Sequence, residues 1–238
     1  MKYLFFIFLA IFIINLCTAQ SAIGINTGYT YNHLNTDISN RALTENTNKG
    51  GYGFGLQIKH EIKTRLYLQT GIYLLQKNYS FNRIDDYIGI YETFNNSYIQ
   101  IPLNIQFKAF KIKRVTFIIS TGVYGAYWFY SKVYGTTPNI FDTTQEVGND
   151  GEITQNLTVA NFGEKYKFNS LIDNRFEYGF DTGLQLDYKV NSKYSIFLDS
   201  NYYQSLTDQQ KKYMINQVSK TNQTLCISIG CLFKFSTK

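Results

Sequence analysis

The sequence predicts an all-β fold, an eight-stranded antiparallel up-and-down transmembrane β-barrel, from three observations. Eight stretches alternate bulky apolar residues with small or polar ones at a period of two. The connections between them are alternately short and long, the habit of outer-membrane barrels. The bulky faces together exceed what the interior of an eight-stranded barrel can hold, so they must point outward.

The first stretch, residues 22–31, sets Ile23, Ile25, Thr27, Tyr29 and Tyr31 against Ala22, Gly24, Asn26, Gly28 and Thr30. Residues 51–59 repeat this with Tyr52, Phe54, Leu56 and Ile58 against Gly53, Gly55, Gln57 and Lys59. The third, 66–75, opposes Leu68, Ile72 and Leu74 to Gln69, Gly71, Tyr73 and Leu75. In the fourth, 98–107, Ile99, Ile101, Leu103 and Ile105 oppose Gln100, Pro102, Asn104 and Gln106. The fifth, 115–130, is the least regular, with Phe117, Ile119, Val123, Tyr127 and Phe129 as its outer set. The sixth, 176–188, is the clearest: Phe180, Leu184 and Leu186 alternate with Glu177, Asp181, Gln185 and Asp187. Charges recurring on that second face exclude a dry core. The seventh, 194–203, has Ile196 and Leu198 against Phe197 and Asp199, and the eighth, 224–235, has Ile227 and Ile229 against Ser228, Leu232 and Lys234.

An outward apolar belt of this size is stable only in lipid. A two-sheet sandwich would bury the bulky faces against each other, but it would leave Gly53, Gly55, Gly179 and Gly183 on the surface without a reason. The expected partner is therefore outer-membrane lipid. Composition agrees: 19 Phe and 21 Tyr in 238 residues do not fit a disordered chain, and 2 Pro suit one that is mostly ladder. A mean hydropathy of −0.23 excludes a bundle of transmembrane helices.

Residues 1–19 read as a cleaved signal peptide, with Lys2 before an apolar run over 3–14 and small residues at Cys17 and Ala19. Cleavage is expected between Ala19 and Gln20, leaving 20–238 as the barrel domain. A lipoprotein signal would want a small residue where Leu16 stands. Cys226 and Cys231 lie on opposite faces of one strand, about 16 Å apart at 3.3 Å per residue, too far for a disulfide.

Lys59, Glu177, Asp181, Asp187, Asp199 and Lys234 all fall on the inner face and form a polar network that plugs the lumen. The resulting expectation is a closed barrel, monomeric, without cofactor, with a structural, adhesive or envelope-accessory role. A porin-like small-solute or ion channel is the alternative, and an outer-leaflet lipid-modifying enzyme comes third. For the enzyme, His33 with Asp37 and Ser39 nearby is the candidate centre; His60 falls in a short turn. Asn149 to Glu152 reads as a hairpin turn that lacks calcium-loop spacing. The long connection 131–174 is where a protein or glycan partner is expected, and nucleic acid does not suit an exported chain. Basic residues in the short turns, Lys63, Arg65, Lys108, Lys111, Lys113, Arg114, Lys189 and Lys193, suit anionic lipid heads.

Four segments carry a resemblance. Tyr98-Ile99-Gln100-Ile101-Pro102-Leu103 resembles the fourth-strand signature of the PorT-like outer-membrane β-barrel family of Bacteroidota. Leu68 to Tyr73 is similar to its third strand, Tyr203 to Thr207 to its Tyr-x-x-Leu-Thr exit from strand seven, and Ser228 to Phe235 to its closing strand. The resemblance implies an eight-stranded outer-membrane barrel; one branch of the family is linked to secretion and gliding, a role that does not transfer. Pro102 removes a ladder donor and is expected to mark a bulge or kink.

Overall fold

The computed structural model describes residues 21–39, 41, 43–147, 153–215 and 217–235. The expected signal peptide, its cleavage point and the turn at 149–152 lie outside them. Among the described residues the chain forms ten strands: β1 (Ser21–Asn35), β2 (Thr44–Lys63), β3 (Leu66–Gln76), β4 (Tyr79–Arg83), β5 (Tyr91–Ile112), β6 (Val115–Val147), β7 (Ile153–Lys165), β8 (Phe176–Lys189), β9 (Tyr194–Ser205) and β10 (Thr221–Lys234). Every pairing is antiparallel.

The pairings run β1–β2–β3–β5–β6–β8–β9–β10 and return to β1, so the sheet closes on itself. The eight strands of this ring contain the eight alternating stretches. β4 and β7 lie outside it. β4 pairs with the far ends of β2 and β5, and β7 pairs with residues 132–147 of β6, so both extend the wall at the long-loop end.

The strands are longer than the alternation alone predicts, because mixed polar sequence pairs as well as amphipathic sequence when a neighbour offers a ladder. β6 runs for 33 residues, about 110 Å at 3.3 Å per residue, whereas a tilted crossing takes about 9–11. The hairpin turn read at Asn149 to Glu152 implies that the fifth and sixth stretches continue outward as the two arms of one hairpin, which the structure meets only in part. The fifth continues as β6, but its return partner is the separate strand β7, after which residues 166–175 fold back to the barrel mouth before β8 begins.

The expected irregularity at Pro102 also needs correction. β5 keeps one register across it: Thr70 pairs with Leu103 and Tyr73 with Gln100. The missing donor shows only as unpaired positions between those two, and the Thr70 hydroxyl donates to the Pro102 carbonyl at 2.8 Å. The register shifts of β5 lie elsewhere, between Ser97 and Tyr98 and between Lys108 and Phe110.

Burial follows the alternation face by face. The predicted outer residues are exposed, for example Leu184 at 63%, Ile101 at 54% and Ile227 at 48%, while their neighbours Gln185, Gln100 and Ser228 are buried. The interior also holds large rings, and the glycines make room for them. Tyr73 pairs with Gly55, Phe197 with Gly230, and Tyr124 with Gly179. At each of these glycines a Cβ would collide with the ring across the ladder. A glycine opposite an aromatic lets the ring lie flat on the neighbouring strand.

Candidate functional site: the filled lumen

The lumen is packed in three layers. Nearest the long loops lies an aromatic layer, built by the inner faces of β3, β5, β6, β9 and β10: Tyr73, Leu75, Tyr98, Tyr124, Trp128 and Tyr203 are all buried with Ala126 and Cys226. Trp128 stacks on Tyr98 with centroids 6.0 Å apart, and on its other side meets Tyr166 at 5.7 Å and Phe168 at 4.9 Å. The latter two belong to the segment that folds back before β8. That segment is pinned by the Arg175 Nε donating to the Trp128 carbonyl at 2.9 Å, with the guanidinium 4.1 Å from the Phe168 ring. Gln209, from the connection between β9 and β10, reaches in and donates to the Tyr98 hydroxyl at 2.9 Å.

Set into this layer is the strongest electrostatic contact of the interior. Lys77, fully buried just beyond β3, places its Nζ 2.5 Å from Glu177 Oε1 on β8. Glu177 also accepts from the Tyr124 hydroxyl at 2.9 Å and from Asn222 Nδ2 at 2.7 Å. Lys77 donates to Gln100 at 3.0 Å and lies between the rings of Tyr98 and Tyr124, 5.0 and 4.9 Å from their centroids. The pair thus ties the end of β3 to β8 across the lumen, three strands away round the ring.

The middle layer is polar. Asn104 donates to Asp181 at 2.7 Å, from β5 across to β8, and Asn201 donates to Asp199 at 2.6 Å. A belt of amides follows. Gln106 donates to Gln69 and to Gln185, the latter at 3.1 Å, and Gln69 donates to Gln57, which also accepts from the Tyr73 hydroxyl at 2.9 Å. Gln185 donates to Asp187 at 2.6 Å, and Asp187 lies 3.9 Å from the Lys59 ammonium. Below the belt, Ala22, Phe197 and Leu232 form a buried apolar cluster towards the short turns.

Of the six inner residues read from the sequence, the structure buries Lys59, Glu177, Asp181, Asp187 and Asp199 within the lumen. They do not form one continuous ion network: Glu177 is paired by Lys77, Asp181 and Asp199 by amides, and only Asp187 by one of the two predicted lysines. Lys234 is half-buried and lines the mouth at the short turns. Lys77 and Gln209 were not foreseen. Lys77 continues the inward parity of Gln69, Tyr73 and Leu75 by one more step, and that parity was the available signal.

His33 does not meet Asp37 or Ser39 in the contacts it makes. Its Nδ1 lies 2.7 Å from Asn48 Oδ1, while Asp37 accepts from the Ser39 backbone amide at 2.8 Å. His60 lies at the short-turn end, 3.1 Å from the Ser21 hydroxyl. Among the described residues no group of three His, Cys, Asp or Glu side chains is placed to hold a metal. Cys226 is buried and Cys231 exposed, on the opposite faces expected.

Three solved structures show the range of likeness. The outer membrane protein OprG from Pseudomonas aeruginosa aligns with a TM-score of 0.49 at 11% identity, over 92% of this chain and 98% of its own. Neisserial surface protein A aligns with a TM-score of 0.46 at 9% identity, over 90% and 99%. Ail, the attachment invasion locus protein of Yersinia pestis, aligns with a TM-score of 0.40 at 10% identity, over 91% and 99%. No curated protein matches the sequence. The family model described as outer membrane protein beta-barrel domain matches residues 18–210, in keeping with the closed antiparallel sheet and its outward apolar belt. The chain belongs to that family and is a protein of the bacterial outer membrane.

Proposed function

We propose that this chain is an eight-stranded, closed transmembrane barrel, non-enzymatic and monomeric. In this reading it serves the envelope as a structural platform for its outer loops, adhesive or accessory to a larger assembly. The observation that carries the reading is the filled lumen: the Lys77–Glu177 pair, 2.5 Å apart and buried, is enclosed by Tyr98, Tyr124 and Trp128 on the loop side. The amide belt and the Phe197 cluster block the other side. A solute path would have to break a buried ion pair, which is costly.

The short turns then face the periplasm and the long connections the outside, with residues 1–19 removed on export. The PorT-like resemblance of residues 98–103 and 228–235 is the narrower family assignment within this reading. The β6–β7 hairpin, which pairs from Lys132 with Lys165 out to Val147 with Ile153, is the surface for a protein or glycan partner. Part of the 131–174 connection is not available for that role, because Tyr166 and Phe168 pack onto Trp128 and cap the lumen.

Single-channel recording on the refolded protein tests the central claim. No stable conductance steps are expected, and reproducible steps would refute the closed lumen. Removing residues 137–160 should leave heat-modifiable gel mobility intact while abolishing any surface attachment the protein confers.

A further inference from the structure

We infer that the short-turn mouth of the barrel is a binding site for a phosphate group. A cavity of about 260 Å³ opens there, lined on its apolar side by Ala22 and Leu232 of the apolar layer together with Ile118. Five lysines line it: Lys59, Lys108, Lys111, Lys189 and Lys234. Only two acids share the lining, Glu61 and Asp187, so the walls carry an excess of positive charge.

Lys59 sets this apart from a merely basic surface. It is 6% exposed and its ammonium has no hydrogen-bond partner. Asp187 stands 3.9 Å away, beyond hydrogen-bond reach, and the Tyr67 ring lies 4.7 Å from the ammonium. An ammonium has three donors, and burying it with all three unused is unfavourable. The cavity is where those donors can be satisfied. Several converging ammonium groups suit a phosphate, whose three oxygens and charge of about −1.5 to −2 as a monoester match a multi-lysine cup better than a single carboxylate does. The phosphate can come from a lipid headgroup of the adjacent leaflet or from a soluble ester.

The test uses the full mature barrel in a maltoside detergent, which contains no phosphate. One arm titrates inorganic phosphate by calorimetry, and the other adds phosphatidylglycerol and counts retained lipid by native mass spectrometry. Saturable one-to-one binding in either arm is expected and assigns the source, lipid or soluble. Lys59→Met should weaken it about tenfold or more, the scale of one charged hydrogen bond. Because Lys59→Met leaves Asp187 with the Gln185 amide but no cation, the rim double variant Lys108→Gln/Lys234→Gln is the second probe, with the same expected loss. Lys63→Gln, a short-turn lysine outside the cavity lining, should change nothing. Absence of saturable binding in both arms overturns the site, as does an equal loss from Lys63→Gln. The site rests on the barrel reading only for which leaflet it faces: a barrel that conducts yet binds phosphate sinks the closed lumen and leaves the site standing.

Discussion

Replacing Lys77 by Met tests whether the lumen is held shut by the pair it makes. Met keeps the unbranched stem between Tyr98 and Tyr124 but removes the charge. Glu177 then retains two neutral donors, the Tyr124 hydroxyl and Asn222 Nδ2, in place of three, and Gln100 loses its donor from Lys77. With side-chain exposures of 0% for Lys77 and 5% for Glu177, water cannot compensate. Removing one partner of such a buried pair costs about 3–5 kcal/mol. With a urea dependence of about 2 kcal/mol per molar, the unfolding midpoint should fall by roughly 1.5–2.5 M. The assay is reversible urea unfolding in lipid vesicles, followed by heat-modifiable gel mobility. Lys77→Met/Glu177→Leu should recover more than half of the loss, because no unpaired charge remains buried. If Lys77→Met shifts the midpoint by less than about 0.5 M, or if the double variant is no better than the single one, the pair does not hold the lumen together.

Other expectations follow from the same geometry. Gly55→Val drives a branched side chain into Asn26 and the Tyr73 ring, so the folded fraction on a heat-modifiability gel should drop, and Tyr73→Ala in the same chain should restore part of it. Leu184→Arg, on the outer face near the middle of β8, should cost about 2–4 kcal/mol in vesicle unfolding, against about 0–1 for Tyr188→Arg near the strand end; equal costs would contradict the lipid belt. Trp128 is the chain's single tryptophan and lies under Phe168, so Phe168→Ala should red-shift its emission and admit iodide quenching. Unchanged quenching would mean that the fold-back segment does not cap the lumen.

The ring strands were legible because each has one face in lipid and one in the lumen, which writes a period of two into residues such as 99–106 and 176–188. What lies beyond the membrane was not, since there both faces are mixed. β4, with Tyr79, Ser80 and Phe81 all buried in succession, has no alternation to read. Lys77 was hidden by its neighbours: Gln76, Lys77 and Asn78 look like the start of a polar loop, and only the parity running from Gln69 through Leu75 places the ammonium inside. Gln209 carries no local signal, because its burial depends on how a loop folds over the mouth. For the inner acids, the face was readable and the partner was not. Glu177 and Lys77 are 100 positions apart, and their meeting is decided by the curvature of the closed sheet.

The glycine-and-ring pairings bear on how such a sheet finds its alignment during assembly. Antiparallel strands with alternating faces can slip by two residues and still keep apolar groups in lipid, so hydrophobicity alone does not reject that error. A slip by two moves Phe197 off Gly230 and onto Ser228 or Leu232, and Tyr124 off Gly179 and onto Glu177 or Asp181, where the ring meets a side chain. At the closing contact between the first and last strands, Gly24 faces Leu232, and a Cβ there would meet the leucine methyl at 2.7 Å. A two-residue offset would set Leu232 against Ala22 or Asn26 instead. The small residues therefore work as a proofreading code, one that penalises two-residue offsets at the β9–β10, β6–β8 and β1–β10 contacts.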